Sequence, residues 1–196
     1  MFFKGLCFGY KLKLNTEAQL KAKRQTFIAY HCFLFQNPIM KFKPVAFIIN
    51  IALTLGIGAL ASYATASSVK TWYPTINKPS FNPPNWLFAP VWTTLYILIG
   101  IAAYLVWIKR DSIVHYPRTV AIYFIQLILN LAWSFLFFYL HEIGLALAEI
   151  SLLLLSIIIN AIVFYKIDKW AGLLYIPYII WVSFATFLNY NLFILN

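Results

Sequence analysis

The side chains best suited to hold a flat guest are the tryptophans, which stand at 72, 86, 92, 107, 133, 170 and 181 and are absent from the first third of the chain. An indole offers a broad apolar face and one N–H donor, so two that converge can grip a planar aromatic molecule. Trp92 and Trp181 lie inside apolar stretches, deeper than the headgroup level where interfacial tryptophans rest. That depth fits a pocket or plain packing in a helix core. Gln126, Asn130 and Trp133 follow an i, i+4, i+7 spacing and share one helical stripe. Amides in hydrocarbon are costly unless hydrogen-bonded, so these two either bridge helices or line a ligand cavity. Ala185, one turn after Trp181, leaves space beside that indole, with Leu188 on the same face and Asn189 and Tyr190 next to it.

Conventional catalysis finds little here. The acids, Glu17, Asp111, Glu142, Glu149 and Asp168, are scattered, and only Glu149 falls within an apolar run. His31, His115 and His141 are far apart, so no pair serves as acid and base or shares a metal. Cys7 and Cys32 have no partner at metal-ligand spacing and imply no disulfide framework. Nucleophile-elbow, kinase and phosphate-loop signatures are missing. A hydrolase or metalloenzyme is not expected on these grounds, and no required cofactor is expected.

The segment from Trp72 to Tyr96 carries the strongest local signal. Pro74, Pro79, Pro83 and Pro84 forbid a continuous helix and hold the backbone extended. Asn82 before Pro83 reads as an N-cap and first-turn proline opening a helix, and Pro90 should kink that helix. With Trp72, Tyr73, Phe81, Trp86 and Phe88 along it, the segment is either a stiff aromatic lid over a bundle or an interfacial aromatic belt.

These residues need a scaffold, and composition says which kind. Of 196 residues, 63% are hydrophobic and 10% charged, against about 45–50% and about 25% in soluble domains. A span needs about 20 mostly apolar residues. Five stretches qualify: 45–68, 84–108, 119–140, 145–164 and 172–195. The links are short, so neighbouring helices run antiparallel in one all-α, five-helix transmembrane bundle. The net charge of +10 therefore faces membrane lipid, and no nucleic-acid partner is expected. Lys and Arg favour the cytoplasmic side. With the N-terminus inside, only Lys70 and Lys78 lie outside, which puts the 69–83 loop on the outer face.

Residues 1–43 are Lys-rich, contain one acid, Glu17, and lack an apolar run long enough to span. Three readings stand: a basic arm on the membrane surface, a targeting extension, or a dispensable stretch ahead of a start at Met40. The apolar core of a secretory signal is absent.

In order along the chain come Trp72-Tyr73, Lys78-Pro79-Ser80, Pro83-Pro84 and Pro90-Val91-Trp92-Thr93. Gln126, Asn130 and Trp133-Ser134 follow, then Pro177-Tyr178, Trp181, Phe184-Ala185-Thr186 and Leu188-Asn189-Tyr190. This series resembles the TspO/MBR family of tryptophan-rich sensory proteins and translocator proteins, also called peripheral benzodiazepine receptors, over nearly all of 44–196. The resemblance implies a five-helix bundle, often a homodimer, whose pocket opens under the first loop. That pocket would take porphyrins such as protoporphyrin IX or heme, and isoquinoline or benzodiazepine compounds. Carried over residue by residue, the site would comprise Tyr73, Pro83, Phe88, Trp92, Gln126, Asn130, Trp133, Trp181 and Ala185. It implies a receptor or sensor of tetrapyrrole level. Its rivals are a light-dependent porphyrin-degrading oxidase, with Trp92 and Trp181 as the reactive indoles, and a porphyrin or lipid transporter, against which the lack of inverted repeats counts.

Animal relatives add a sterol-recognition pattern that needs a basic residue after Tyr190. Here Asn191, Leu192, Phe193, Ile194, Leu195 and Asn196 follow, so sterol binding is not expected at this end. The same departure favours a bacterial cytoplasmic membrane over a mitochondrial outer membrane. Gly58, Ala61, Ser62 and Thr65 form a small face suited to a dimer contact.

Overall fold

The computed structural model describes residues 42–196. Apart from Phe42 and Lys43, the basic extension and the alternative start at Met40 lie outside the described residues. Five long helices follow one another: α1 (Pro44–Ala66), α2 (Phe88–Ile108), α3 (Tyr116–Ser134), α4 (Ile143–Ile167) and α5 (Ile176–Leu195). Among the described residues there is no strand. All five helices, counted with the short turns that adjoin them, are apolar and long enough to cross a bilayer.

Proline marks three of the starts. Pro44, Pro117 and Pro177 occupy the first two positions of α1, α3 and α5, where a missing N–H costs no intrahelical bond. The second span opens on a 3₁₀ turn over Asn85–Leu87 and continues as α-helix from Phe88, within a residue of the expected start at Pro84. Two neighbouring expectations shift. Asn82 caps no helix; its side chain accepts a hydrogen bond from Tyr73 instead. Pro90 falls in the first turn of α2, where nothing demands a kink. The expected 172–195 span divides into a short helix, Lys169–Leu173, and α5, and the interruption at Leu174 and Tyr175 precedes Pro177.

The lid end of the bundle gathers the 67–87 loop, the α3–α4 turn and the end of α5. There α3 runs on into a π-helical turn, Phe135–Tyr139. His141 closes the turn in the left-handed region, with φ 59°, which histidine tolerates better than most residues. Its ring stacks on Trp72 at 4.2 Å, and its Nε2 lies 3.2 Å from the Ser68 hydroxyl. The α3–α4 turn and the start of the 67–87 loop are thereby joined.

At the opposite end Lys109 meets Asp168 at 2.7 Å. Asp168 also accepts from the Trp170 and Ala171 amides, capping the short helix. Burial alone would raise this carboxyl, but the Lys109 contact and the two amides hold it below the usual carboxylate range.

Two halves pack differently. Against α1, Gly100 of α2 sits so close that a Cβ would stand 2.8 Å from the Ile51 Cα, and Thr54 donates to the Tyr96 carbonyl at 2.8 Å. Between α3, α4 and α5 the core is tight: Leu127, Ile150, Leu153, Ile157, Val182 and Leu192 are fully buried. Asn160 Nδ2 donates to the Tyr175 hydroxyl at 2.6 Å within it.

Candidate functional site

The 67–87 loop is a built object. The Tyr73 hydroxyl donates to Asn82 Oδ1 at 2.6 Å, and burial pushes the Tyr73 phenol up to about 12 against the opposing pull of Asn82. It therefore stays a neutral donor across physiological pH. Lys78 Nζ donates to the carbonyls of Tyr73, Ile76 and Pro74 and lies 5.1 Å over the Tyr73 ring. Asn77 makes two bonds with Asn196 and a third to the Leu195 carbonyl, tying the loop to the end of α5, and Phe81 stacks on Phe187 of α5 at 5.3 Å. Prolines stiffen the loop and these contacts fix it across the bundle end.

Beneath it lies a cavity of about 530 Å³, within the range of roughly 300–1,000 Å³ typical of small-molecule sites. One wall is the small stripe of α1: Gly58, Ala61, Ser62 and Thr65 all line it. The residues that form the small face of α1 also line a cavity within the chain. Gly58 is a steric necessity, because a Cβ there would stand 2.5 Å from the Tyr96 ring. The facing wall is aromatic, made of Phe88, Trp92 and Tyr96 with Trp133 and Phe138, and Tyr73 comes from the loop. Trp92 stacks with Tyr96 at 5.8 Å and lies 6.3 Å from Trp133. Ala59, Ser62 and Ala66 of α1 and Ala89 and Thr93 of α2 are lining residues that are also exposed, so the cavity opens sideways between these two helices.

Behind the Trp92–Trp133 wall is a second void of about 20 Å³, and here Trp181 and Ala185 appear, with Phe88, Trp92 and Trp133 again on the lining. Trp92 and Trp181 thus share a small void, while only Trp92 also faces the larger cavity. Phe88 lies between the two regions, 6.0 Å from the Trp181 ring. The Trp181 indole N–H is buried and meets no acceptor.

Of the other expected site residues, Pro83 lines neither space. The two amides also stand apart from both. Asn130 bridges helices, accepting from the Tyr96 hydroxyl and donating to the Tyr178 hydroxyl at 2.8 Å; of the two readings open from the spacing, helix bridge is the one observed. Gln126 is fully buried and neither amide atom has a partner.

The residues alone assign no site role to Tyr96, Tyr178, Phe137 or Phe138. Phe137 stacks on Trp133 at 5.6 Å and meets Trp72 edge-on at 5.5 Å. The π turn sets it there, and no residue pattern announces that turn. Tyr96 lies one turn after Trp92, a spacing that was readable.

The TspO/MBR family model matches residues 50–195. The chain belongs to the TspO/MBR family. The "Tryptophan-rich protein TspO" of Archaeoglobus fulgidus is 43% identical over 147 residues, 75% of this chain and 94% of that protein. The "Tryptophan-rich sensory protein" of Cereibacter sphaeroides is 36% identical over 139 residues, 71% and 85% of the two chains. The human "Translocator protein" is 36% identical over 120 residues, 61% and 71%. The family match thus covers most of α1, the other four helices, the lid loop and both walls of the cavity, and this TspO/MBR protein is an integral membrane protein.

Proposed function

We propose that this TspO/MBR protein is a membrane receptor for a flat tetrapyrrole, protoporphyrin IX or heme, held in the cavity between α1 and α2 and reported as tetrapyrrole level. The observation that carries the reading is the wall pairing: small residues Ala61, Ser62 and Thr65 on one side and the rings of Phe88, Trp92 and Trp133 on the other, with Gly58 packed on Tyr96 at the floor. A slot with one smooth face and one aromatic face suits a planar macrocycle, and stacking rewards flatness. The lateral opening suits a ligand that partitions into lipid. "Sensory" in the name of the Cereibacter sphaeroides relative agrees with such a role.

Charge supports placing the lid outside. Lys70 and Lys78 sit at that end, whereas Lys43, Lys109, Arg110, Arg118, Lys166 and Lys169 sit at the other, and this basic excess favours the second end in the cytoplasm, in keeping with a bacterial cytoplasmic membrane as the setting. Dark titration of the detergent-solubilised protein with protoporphyrin IX tests the function. Saturable tryptophan quenching with a porphyrin absorbance shift is expected; linear, unsaturable quenching would sink it.

A second reading rests on Trp92, whose ring lines the cavity with Trp133 6.3 Å away. An excited porphyrin beside this electron-rich pair, with dioxygen as oxidant, could be consumed. Illumination of the complex under air should then give a new absorbing product that Trp92→Phe suppresses.

A further inference from the structure

The cavity has one charged corner. Of the residues that line it, Lys70 alone carries a formal charge, and neither Asp nor Glu joins it. Lys70 belongs to the short helix Ser68–Thr71 that follows α1 at the lid end. It is exposed and makes neither an ion pair nor a side-chain hydrogen bond among the described residues. The other lysine of this end is already committed: Lys78 serves three carbonyls and the Tyr73 ring. The hydroxyls of Thr65 and Thr93 donate to their own helices, at Ala61 and Ala89. The lining therefore offers an unpaired cation at its lid end and, deeper, the apolar surfaces of Leu55, Gly58, Trp92 and Tyr96.

From this polarity we infer that the cavity selects a flat amphiphile with an acidic edge, and that Lys70 recognises a carboxylate on that edge. For a porphyrin dicarboxylic acid, the macrocycle lies against the aromatic wall and one propionate pairs with the Lys70 ammonium. The second propionate stays at the wet rim. A charge-assisted bond is stronger than a neutral one, and at this exposed rim it is open to screening by salt. Lys70 is thus a specificity residue, separating acids from neutral esters of the same shape. The inference rests on the tetrapyrrole reading of this cavity.

The test compares protoporphyrin IX with its dimethyl ester, in the dark and in nonionic detergent, on wild type, Lys70→Gln, Lys70→Arg and Lys70→Glu. Wild type is expected to prefer the acid, and Lys70→Gln to bind the acid about tenfold more weakly with the ester unchanged. Lys70→Arg should restore the preference and Lys70→Glu invert it, and the wild-type preference should shrink with added salt. Equal acid affinity in wild type and Lys70→Gln, with the ester also bound, would overturn the role of Lys70 and leave the tetrapyrrole reading standing. Equal losses for acid and ester would also overturn it, since Lys70 would then only shape the slot. Wild type that binds neither porphyrin overturns the tetrapyrrole reading and this inference with it.

Discussion

The α1–α2 side and the α3–α4–α5 side of this bundle solve one problem in opposite ways. On the first, small residues bring backbones together: Gly100 against Ile51, Gly58 against the Tyr96 ring. On the second, polar side chains tie buried surfaces, with Asn130 on Tyr178, Asn160 on Tyr175, and Asn189 taking the Trp133 indole N–H at 3.2 Å. In lipid, close approach and interhelical hydrogen bonds replace the hydrophobic drive that water supplies. The difference teaches where a guest fits. The hydrogen-bonded half fixes Trp133 as a wall, and the half that depends on small residues leaves the 530 Å³ of space in front of it.

That contrast breaks most readily at Gly100. Gly100→Ala should cost about 1–3 kcal/mol, because the new Cβ meets the Ile51 backbone, which cannot step aside. Gly56→Ala, with nothing within 4 Å, should be neutral or stabilising by up to about 1 kcal/mol. Thermal unfolding in detergent by circular dichroism checks the pair, and equal effects would refute the close-approach account.

A smaller loss is expected in the polar half. Asn160→Leu leaves the Tyr175 hydroxyl buried and unpaired, costing about 1–2 kcal/mol. Adding Tyr175→Phe removes the stranded hydroxyl and should recover part of that loss. Strictly additive single losses in a double-mutant cycle would show the bond carries nothing.

The smallest effect belongs to the end away from the lid. The Asp168 carboxyl is depressed by Lys109 and the cap amides, so its stabilisation is present above the ordinary carboxylate range and fades as pH falls through the lowered value. Asp168→Asn should lose up to about 1 kcal/mol at neutral pH, in keeping with a partly exposed pair, and nothing further on acidification. A mutant with the wild-type acid dependence would assign that dependence elsewhere.

The bundle was legible in the sequence because each helix is an apolar run of span length, and the order of the five is read directly from those runs. Boundaries at prolines were not, since a proline reads alike as first turn or as kink: Pro90, expected to kink the second helix, sits in its first turn. The stripe of Gln126, Asn130 and Trp133 was legible as a face but not as a task. Only the tyrosines opposite, Tyr96 and Tyr178, show that Asn130 bridges helices. Among 13 tyrosines and 18 phenylalanines, no single aromatic stands out, which is why Phe137 and Phe138 went unread. The small stripe of α1 was visible, but its partner could not be: a glycine facing a second copy and a glycine facing Tyr96 are spelled alike.

The most direct measurement is a dark titration of protoporphyrin IX against wild type, Ser62→Phe and Trp181→Phe, followed by porphyrin absorbance. Ser62 is exposed and lines only the larger cavity, and Trp181 lines only the small void behind it. Ser62→Phe should weaken binding at least about tenfold while Trp181→Phe stays within about threefold of wild type. Full affinity in Ser62→Phe, or a loss confined to Trp181→Phe, would place the guest outside the α1–α2 slot and contradict the account.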